Sequence, residues 1–213
     1  LSAGLLVLGT VLTALLEWNN PATLGPMSVG QKLLAAAFQS VTTRTAGFAA
    51  IPQQSLTDAT LAVSTFLMFI GGSSGSTAGG LKTVTFAIVL LAAISAARGR
   101  SRVTVMRRTI PQTQVMQALS LFLLMLTLAF SGAIFLSAES GCPFLRSLFE
   151  TVSALATVGL TDLTPRLNAL SHIILILFMF FGRVGIMTIS LGFLSARREE
   201  ERFTYANARV LIG

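Results

Sequence analysis

Long apolar runs separated by short polar stretches dominate the pattern of this chain. A helix needs about 20 apolar residues to cross roughly 30 Å of hydrocarbon, and four regions meet or nearly meet that length. The pattern therefore predicts an all-α integral membrane protein with a truncated first span, an overlong second span, a third span and a fourth. These are Leu1–Leu16, Leu56–Ala97, Val115–Ser137 and Leu167–Ala196.

Composition also favours a membrane location. Of the 213 residues, 53% are hydrophobic and only 11% are charged, whereas soluble domains carry about 25% charged residues. The chain begins within an apolar stretch, without an initiator Met or a basic flank before it. We therefore interpret it as the C-terminal part of a longer protein and not as a chain that carries a signal peptide.

The net charge of +7 is concentrated in two clusters of arginines, at residues 98–108 and 197–202. Because Lys and Arg accumulate on the cytoplasmic side of membrane proteins, we expect both clusters and both termini of the chain to be cytoplasmic. No aromatic residue lies within 98–108, which argues against nucleic acid as a partner.

A short sequence occurs twice, as the first loop, Thr45–Phe48, and the second loop, Thr157–Leu160. Each copy follows an apolar segment of about three helical turns, Gln31–Gln39 or Pro143–Glu150, which is too short to span a membrane. Irregular backbone at membrane depth is tolerated only where it is buried in protein or lines water. The pattern therefore predicts a unit of helix, re-entrant pore helix, loop and helix, which occurs twice.

Each loop carries a glycine at its third position, where we expect backbone carbonyls to face a cation. A dehydrated cation needs several oxygens at once, and glycine permits the dihedral angles that turn carbonyls inward. We predict a selectivity filter that binds a cation through these carbonyls only. Its residues are Thr45, Ala46, Gly47, Phe48, Thr157, Val158, Gly159 and Leu160.

A glycine-rich run, called here the glycine loop, interrupts the second apolar stretch. Five of its ten residues are glycines, and each glycine costs about 1 kcal/mol of helix propensity, so we expect the helix to break there. Two alternatives are a helix-packing face formed by Gly71, Gly75 and Gly79 and the discontinuous helix of a secondary transporter. The glycine loop consists of Gly71, Gly72, Ser73, Ser74, Gly75, Ser76, Thr77, Ala78, Gly79 and Gly80.

Arg183 lies within the predicted fourth span, where an arginine costs about 2.5–3.5 kcal/mol to insert. We therefore expect it to face a water-filled axis. A cation passing within about 4 Å would feel roughly 4 kcal/mol of repulsion at an effective dielectric constant of about 20. The hypothesis is that Arg183 forms a constriction beneath the filter and reaches toward the glycine loop. The alternative is an arginine bonded to helix-end carbonyls or to a buried carboxylate.

Four motifs in combination resemble the Trk/Ktr/HKT superfamily of potassium transporters, and within it the membrane subunit of the Ktr branch. They are Ser40–Phe48, Ile70–Thr83, Phe181–Gly185 and Arg209–Gly213. The resemblance implies a potassium pathway built from four repeats around one pore, of which this chain would hold the third and fourth. It also implies that the glycine loop gates the pore, that the protein is a homodimer, and that a cytoplasmic nucleotide-binding ring regulates it.

The layout implied by this resemblance is a third-type repeat at 1–100, with the glycine loop at 71–80, and a fourth-type repeat at 115–198. A cytoplasmic connection at 101–114 joins them, and a cytoplasmic tail follows at 199–213. The chain departs from the family at Ala49–Ala50 and Ser73–Ser74, where Asn-Thr and Ser-Pro are usual. No cofactor and no enzymatic activity are expected. Whether sodium is an activator stays open, and so does strict selectivity for potassium over sodium, because in this superfamily the first repeat influences that selectivity.

The remaining polar residues have two interpretations each. Arg44 and Glu150 either form a charge pair that braces the loops or lie in a solvated outer vestibule. Asp58 and Asp162 either concentrate cations at the outer mouth or serve at a helix start and a turn. His172 is interpreted as a packed or interfacial residue. The rival classes are a secondary active, ion-coupled transporter with discontinuous helices and a membrane scaffold that transports nothing.

Overall fold

Helices make up most of the structure, a computed structural model that describes residues 1–73, 75–76, 78–99, 102–105, 108–163 and 167–185. Within these ranges the α-helices are α1 (Ser2–Glu17), α2 (Val29–Thr42), α3 (Asp58–Phe69), α4 (Thr83–Ala97), α5 (Gln112–Ser140), α6 (Phe144–Leu155) and α7 (Ala169–Phe180). A 3-10 turn at Gln53–Ser55 and a π-helical turn at Phe181–Gly185 complete the helical elements.

A small antiparallel hairpin is the exception to the expected all-helical fold class. It pairs β1 (Thr104–Val105) with β2 (Arg108–Thr109) and lies within the predicted connection at 101–114. The long helix α5 begins at Gln112, within the last residues of that predicted connection.

Local sequence signals set several helix ends. Ser28 and Gln31 form a capping box at the start of α2, which satisfies backbone N–H groups that have no partner within the helix. Thr57 caps α3 by accepting a hydrogen bond from the backbone N–H of Thr60. Gly141 ends α5 in a left-handed conformation with φ +64, the geometry that glycine adopts without strain.

One helix in the described part of the chain, α5, is long and apolar enough to cross a membrane. Its 29 residues span about 44 Å at 1.5 Å per residue, and it extends the predicted third span at both ends. The other apolar helices are α1, α3, α4 and the stretch Ala169–Val184, all shorter. The predicted fourth span extends beyond the described residues, so its full length is not seen.

The predicted break in the second apolar stretch is confirmed, because α3 ends at Phe69 and α4 begins only at Thr83. The glycine loop lies between them and forms no helix in its described residues. The alternative in which Gly71, Gly75 and Gly79 form a helix-packing face is therefore wrong.

The two halves of the chain pack through the second short helix. α6 contacts α5 and α7 of its own half and also α3 of the first half, while α2 packs on α1. The shared core contains Leu61 and Met68 from α3 together with Phe149 and Val152 from α6. This contact brings the segments that follow the two short helices to the same region of the molecule.

Candidate functional site

The two loops share an unusual backbone conformation. Thr45 and Thr157, with φ angles of 67 and 53, are the non-glycine residues with positive φ among the described ranges, and the glycines two positions later have φ +76 and +92. A β-branched residue with positive φ is strained, and strain of this kind persists mainly at functional sites. The residue between each pair has ordinary negative φ, so the backbone alternates in the same way in both loops.

The structure brings the two loops into direct contact. A Cβ atom built on Gly47 would lie 2.3 Å from the carbonyl oxygen of Val158, and one built on Gly159 would lie 3.7 Å from the Cα of Gly47. Glycine is thus required at 47 by both conformation and space. At 159 it is required by conformation alone, because the nearest atom is at ordinary contact distance.

A hydroxyl from the last turns of each short helix holds the residue that follows the loop glycine. Thr42 Oγ1 donates to the carbonyl oxygen of Phe48 at 2.7 Å and accepts from the Phe48 N–H at 2.9 Å. Ser153 Oγ donates to the carbonyl oxygen of Leu160 at 2.6 Å. The loops follow the C-terminal ends of α2 and α6, which carry partial negative charge and favour a cation nearby.

Buried polar groups of the short helices also fix the chain beyond each loop. In the first half, Gln39 and Gln53 exchange hydrogen bonds between their amide groups, at 2.8 and 3.2 Å. In the second half, Glu150 Oε1 accepts hydrogen bonds from Thr161 Oγ1, Asp162 N–H and Leu163 N–H, at 2.5 to 2.6 Å. The carboxylate therefore holds the turn that follows the second loop.

The ion pair in the described residues joins Arg146 to Asp162, whose side chain is 1% exposed. Asp162 is therefore held in a structural contact and does not project into an outer mouth. Arg44 donates to the carbonyl oxygen of Gly71, and Glu150 is occupied as described above. The interpretation of Arg44 and Glu150 as a charge pair is wrong.

Sequence reasoning missed Glu17, a fully buried carboxylate. One of its oxygens accepts hydrogen bonds from Asn20 Nδ2 and Thr23 Oγ1, both at 2.6 Å. The other accepts from the N–H and Oγ1 of Thr57, at 2.9 and 2.8 Å. Glu17 therefore joins the end of α1 to the start of α3. Its one signal in the sequence is an acidic residue at the end of an apolar run.

The described ends of the glycine loop are held side by side. Ile70 and Leu81 form a parallel bridge, and the N–H of Thr83 donates to the carbonyl oxygen of Gly72 at 3.2 Å. Lys82 Nζ donates to the carbonyl oxygens of Ser76 and Ala78. Two residues predicted for this loop, Ser74 and Thr77, lie outside the described residues.

The glycine loop packs against the second loop. A Cβ on Gly79 would lie 2.3 Å from Thr157 Oγ1 and 2.7 Å from the carbonyl oxygen of Ala156, and a Cβ on Gly80 would lie 3.0 Å from the Ala156 Cβ. Only glycine allows an approach this close. The predicted gate and the predicted filter are therefore in contact on this side.

Arg183 lies in the π-helical turn that follows α7, a distortion often found at functional sites. Its side chain is exposed. Its positive charge repels that of Lys82, which follows the glycine loop by two residues. A Cβ on the preceding Gly182 would lie 1.9 Å from the carbonyl oxygen of Leu155, so this turn packs closely on the end of α6. Within the described residues no carboxylate pairs with Arg183.

Two further candidates have local roles. Asp58 is the first residue of α3, where an acidic side chain favours the helix N-terminus. His172 is partly exposed on α7 and its Nδ1 lies 2.9 Å from the carbonyl oxygen of Asn168. The described residues contain no cluster of His, Cys, Asp and Glu that could hold a metal ion.

Apolar helices, two strained glycine loops in contact and a third loop packed against the second of them are typical of an α-helical membrane protein. More particularly, the chain belongs to the TrkH family of cation transport proteins, whose family model matches residues 2–203. The resemblance found in the sequence is thereby confirmed.

Two relatives and one solved structure illustrate this kinship. The chain is 39% identical over 200 residues to Ktr system potassium uptake protein B of Bacillus subtilis (strain 168), covering 93% of this chain and 44% of that protein. It is 38% identical over 215 residues to potassium/sodium uptake protein NtpJ of Enterococcus hirae, covering 98% and 48%.

The fold is also similar to a crystal structure of the potassium transporter TrkH from Vibrio parahaemolyticus. The TM-score is 0.71 at 23% sequence identity, over 89% of this chain and 42% of that one. The chain therefore spans less than half the length of the relatives that it matches.

Proposed function

We propose that the full-length protein carries potassium into the cell down its electrochemical gradient, as a cation channel-like uptake subunit in the plasma (bacterial inner) membrane. The observation that carries the proposal is the direct contact between two loops of identical backbone pattern, Gly47 against Val158. Family membership supports it. The name of the Bacillus subtilis relative supports potassium as the ion, and that of the Enterococcus hirae relative names potassium and sodium.

The first and second loops supply carbonyl oxygens to potassium in this proposal. Their alternation of positive and negative φ suits successive carbonyls that replace a hydration shell. The hydroxyls of Thr42 and Ser153 hold the last carbonyl of each loop in place. In this proposal the remaining sides of the pathway belong to the two further repeats that the family resemblance implies.

The glycine loop and Arg183 form the gate beneath these loops. A cation within about 4 Å of the guanidinium would feel roughly 4 kcal/mol of repulsion at an effective dielectric constant of about 20, enough to limit flux and small enough for a modest displacement to relieve. The contact of Gly79 with Thr157 supports a loop that lies directly under the filter.

The working assembly in this proposal is a homodimer with a cytoplasmic, nucleotide-binding regulatory subunit. Support comes from relatives that are named as parts of a Ktr system. The chain is a multi-pass segment with both termini in the cytoplasm, and the arginines at 98–108 offer a docking surface on that side. The secondary active transporter is not the function favoured by the family and its relatives, which are named for cation transport and potassium uptake, and the reversal potential measured below distinguishes the two.

The test is uptake of potassium and sodium by the full-length protein in cells that lack their own potassium transport. Gly159→Ser is compared with wild type, and Gly4→Ser is the matched control because a Cβ at Gly4 meets nothing within 4 Å. We expect Gly159→Ser to weaken the preference for potassium over sodium and the control to keep it. A Gly159→Ser protein with wild-type preference would refute the filter, and a reversal potential that does not follow the potassium gradient would indicate coupled transport.

A further inference from the structure

Arg44 is a charged residue in an apolar region that neither the filter nor the gate has yet explained. It follows α2 by two residues and precedes Thr45 of the first loop. Its Nη1 donates to the carbonyl oxygen of Gly71 at 3.2 Å, and Gly71 is the first residue of the glycine loop. Among the described residues its Nη2 is buried without a hydrogen-bond partner. An arginine in this position is expensive at membrane depth, so a role beyond packing is expected.

The position of Arg44 has a counterpart in the second half of the chain. Arg44 and Ala156 each precede the threonine of the repeated loop sequence. Ala156 contacts the other end of the glycine loop, since a Cβ on Gly80 would lie 3.0 Å from the Ala156 Cβ. The same position in the two halves therefore contacts opposite ends of the glycine loop. Arg44 makes its contact through a charged hydrogen bond, and Ala156 through close packing.

We propose that Arg44 is a positioning residue that links the first loop to the glycine loop and holds the glycine loop in its closed position. This inference rests on the proposed function, because it needs the glycine loop to be a gate. The guanidinium of Arg44 binds the carbonyl oxygen of Gly71, and the backbone of Arg44 continues directly into Thr45 of the first loop. Displacement of the glycine loop must therefore either break this hydrogen bond or displace the first loop. Arg44 acts here through the loop, whereas Arg183 acts on the ion.

Space for such a displacement lies beside the guanidinium. A cavity of about 350 Å³ is bounded by Val41, Arg44 and Thr45 on one side and by Gly72, Ser73, Ser76 and Ala78 of the glycine loop on the other, with Ser2 and Leu6 of α1. Among its described residues, the glycine loop therefore packs tightly against Ala156 on one side and borders this cavity on the side of Arg44. Release of the hydrogen bond to Gly71 would let this side of the loop move.

The experiment compares Arg44→Gln and Arg44→Lys in the full-length protein, each with the intact glycine loop and with residues 73–78 deleted. The deletion is feasible because the two ends of the loop touch, a Cβ on Gly71 lying 2.2 Å from the carbonyl oxygen of Gly79. Lys32→Gln is the matched control, since Lys32 is a basic residue of α2 that donates to Trp18 instead. The readout is basal potassium flux in proteoliposomes, together with the ratio of potassium to sodium flux.

With the intact loop, we expect Arg44→Gln to raise basal flux roughly tenfold to hundredfold, the factor that corresponds to one hydrogen bond to a charged group. Arg44→Lys should give a smaller rise, because an ammonium group keeps the charge but not the reach of the guanidinium. Loop deletion should itself raise flux, and Arg44→Gln should add nothing in the deleted background. The Lys32→Gln control should leave flux unchanged.

An equal rise in both backgrounds would overturn the proposal, because Arg44 would then act directly on ions or on the filter. If Arg44→Gln shows wild-type flux while the loop deletion raises flux, the proposal for Arg44 is overturned, and the glycine loop remains the gate. Unchanged flux in the deletion would refute the gate and the proposal together. If Arg44→Gln does not reach the membrane, Arg44→Lys carries the same comparison.

Discussion

The two loop glycines should respond unequally to alanine, although the sequence presents them as equivalent. At both positions alanine must adopt a positive φ, which costs roughly 1–2 kcal/mol. At Gly47 the new Cβ would also lie 2.3 Å from the carbonyl oxygen of Val158, whereas ordinary contact begins at 3.4 Å. The Val158 carbonyl must therefore move by about 1 Å, while Gly159→Ala displaces nothing.

We therefore expect Gly159→Ala to weaken the preference for potassium modestly and Gly47→Ala to abolish it. The strain, which is present in both variants, corresponds to a factor of roughly 5–30 in an equilibrium constant. In Gly47→Ala the displaced carbonyl of Val158 is in addition no longer available to bind the ion. The assay is the ratio of potassium to sodium uptake at matched protein levels, with Gly4→Ala as a control for alanine in open space. Equal effects of the two substitutions, or a larger effect at 159, would refute the argument from the loop contact.

Three other substitutions test the surroundings of the loops. Thr42→Val removes both hydrogen bonds to Phe48 and should lower the potassium preference in the same uptake assay, whereas Thr10→Val, which loses only a bond within its own helix, should not; equal behaviour of the two would contradict this role. Glu150→Ala leaves buried N–H groups unpaired and should lower the free energy of unfolding by about 2–4 kcal/mol, seen as a reduced thermal midpoint in detergent; an unchanged midpoint would be the contrary result. Arg183→Gln should raise basal potassium flux by removing the repulsion, and flux at or below the wild-type value would argue against a pore-facing arginine.

Several features could be predicted because they depend on residues close in sequence. The repeated Thr-x-Gly loop and the glycine content of the second apolar stretch indicate an irregular backbone by local preference alone. The same local arguments gave α5 and the short helices α2 and α6, with ends that differ by a few residues. Burial in a membrane also leaves a strong compositional signal.

The contacts between distant segments could not be predicted. Nothing near Arg44 indicates that its partner is the carbonyl oxygen of Gly71, because backbone acceptors are the same at every residue. One of the two interpretations of Glu150, an ion pair with Arg44, is wrong for a related reason: opposite charges suggest a pair, but the carboxylate accepts hydrogen bonds from its own half of the chain. The fully buried Glu17 was missed because an acidic residue at a helix end is ordinarily solvated.

The contact between Gly47 and the carbonyl of Val158 also bears on how two copies of a short sequence diverge within one chain. Two such copies can change independently when each contacts only its own neighbours. Here the backbone of the second loop contacts Gly47 of the first loop. A change in the second loop alters which residues the first can tolerate, so substitutions in the two copies should be non-additive. The first copy has the narrower choice, because a side chain at Gly47 would meet the carbonyl oxygen of Val158, whereas at Gly159 the positive φ alone limits the choice.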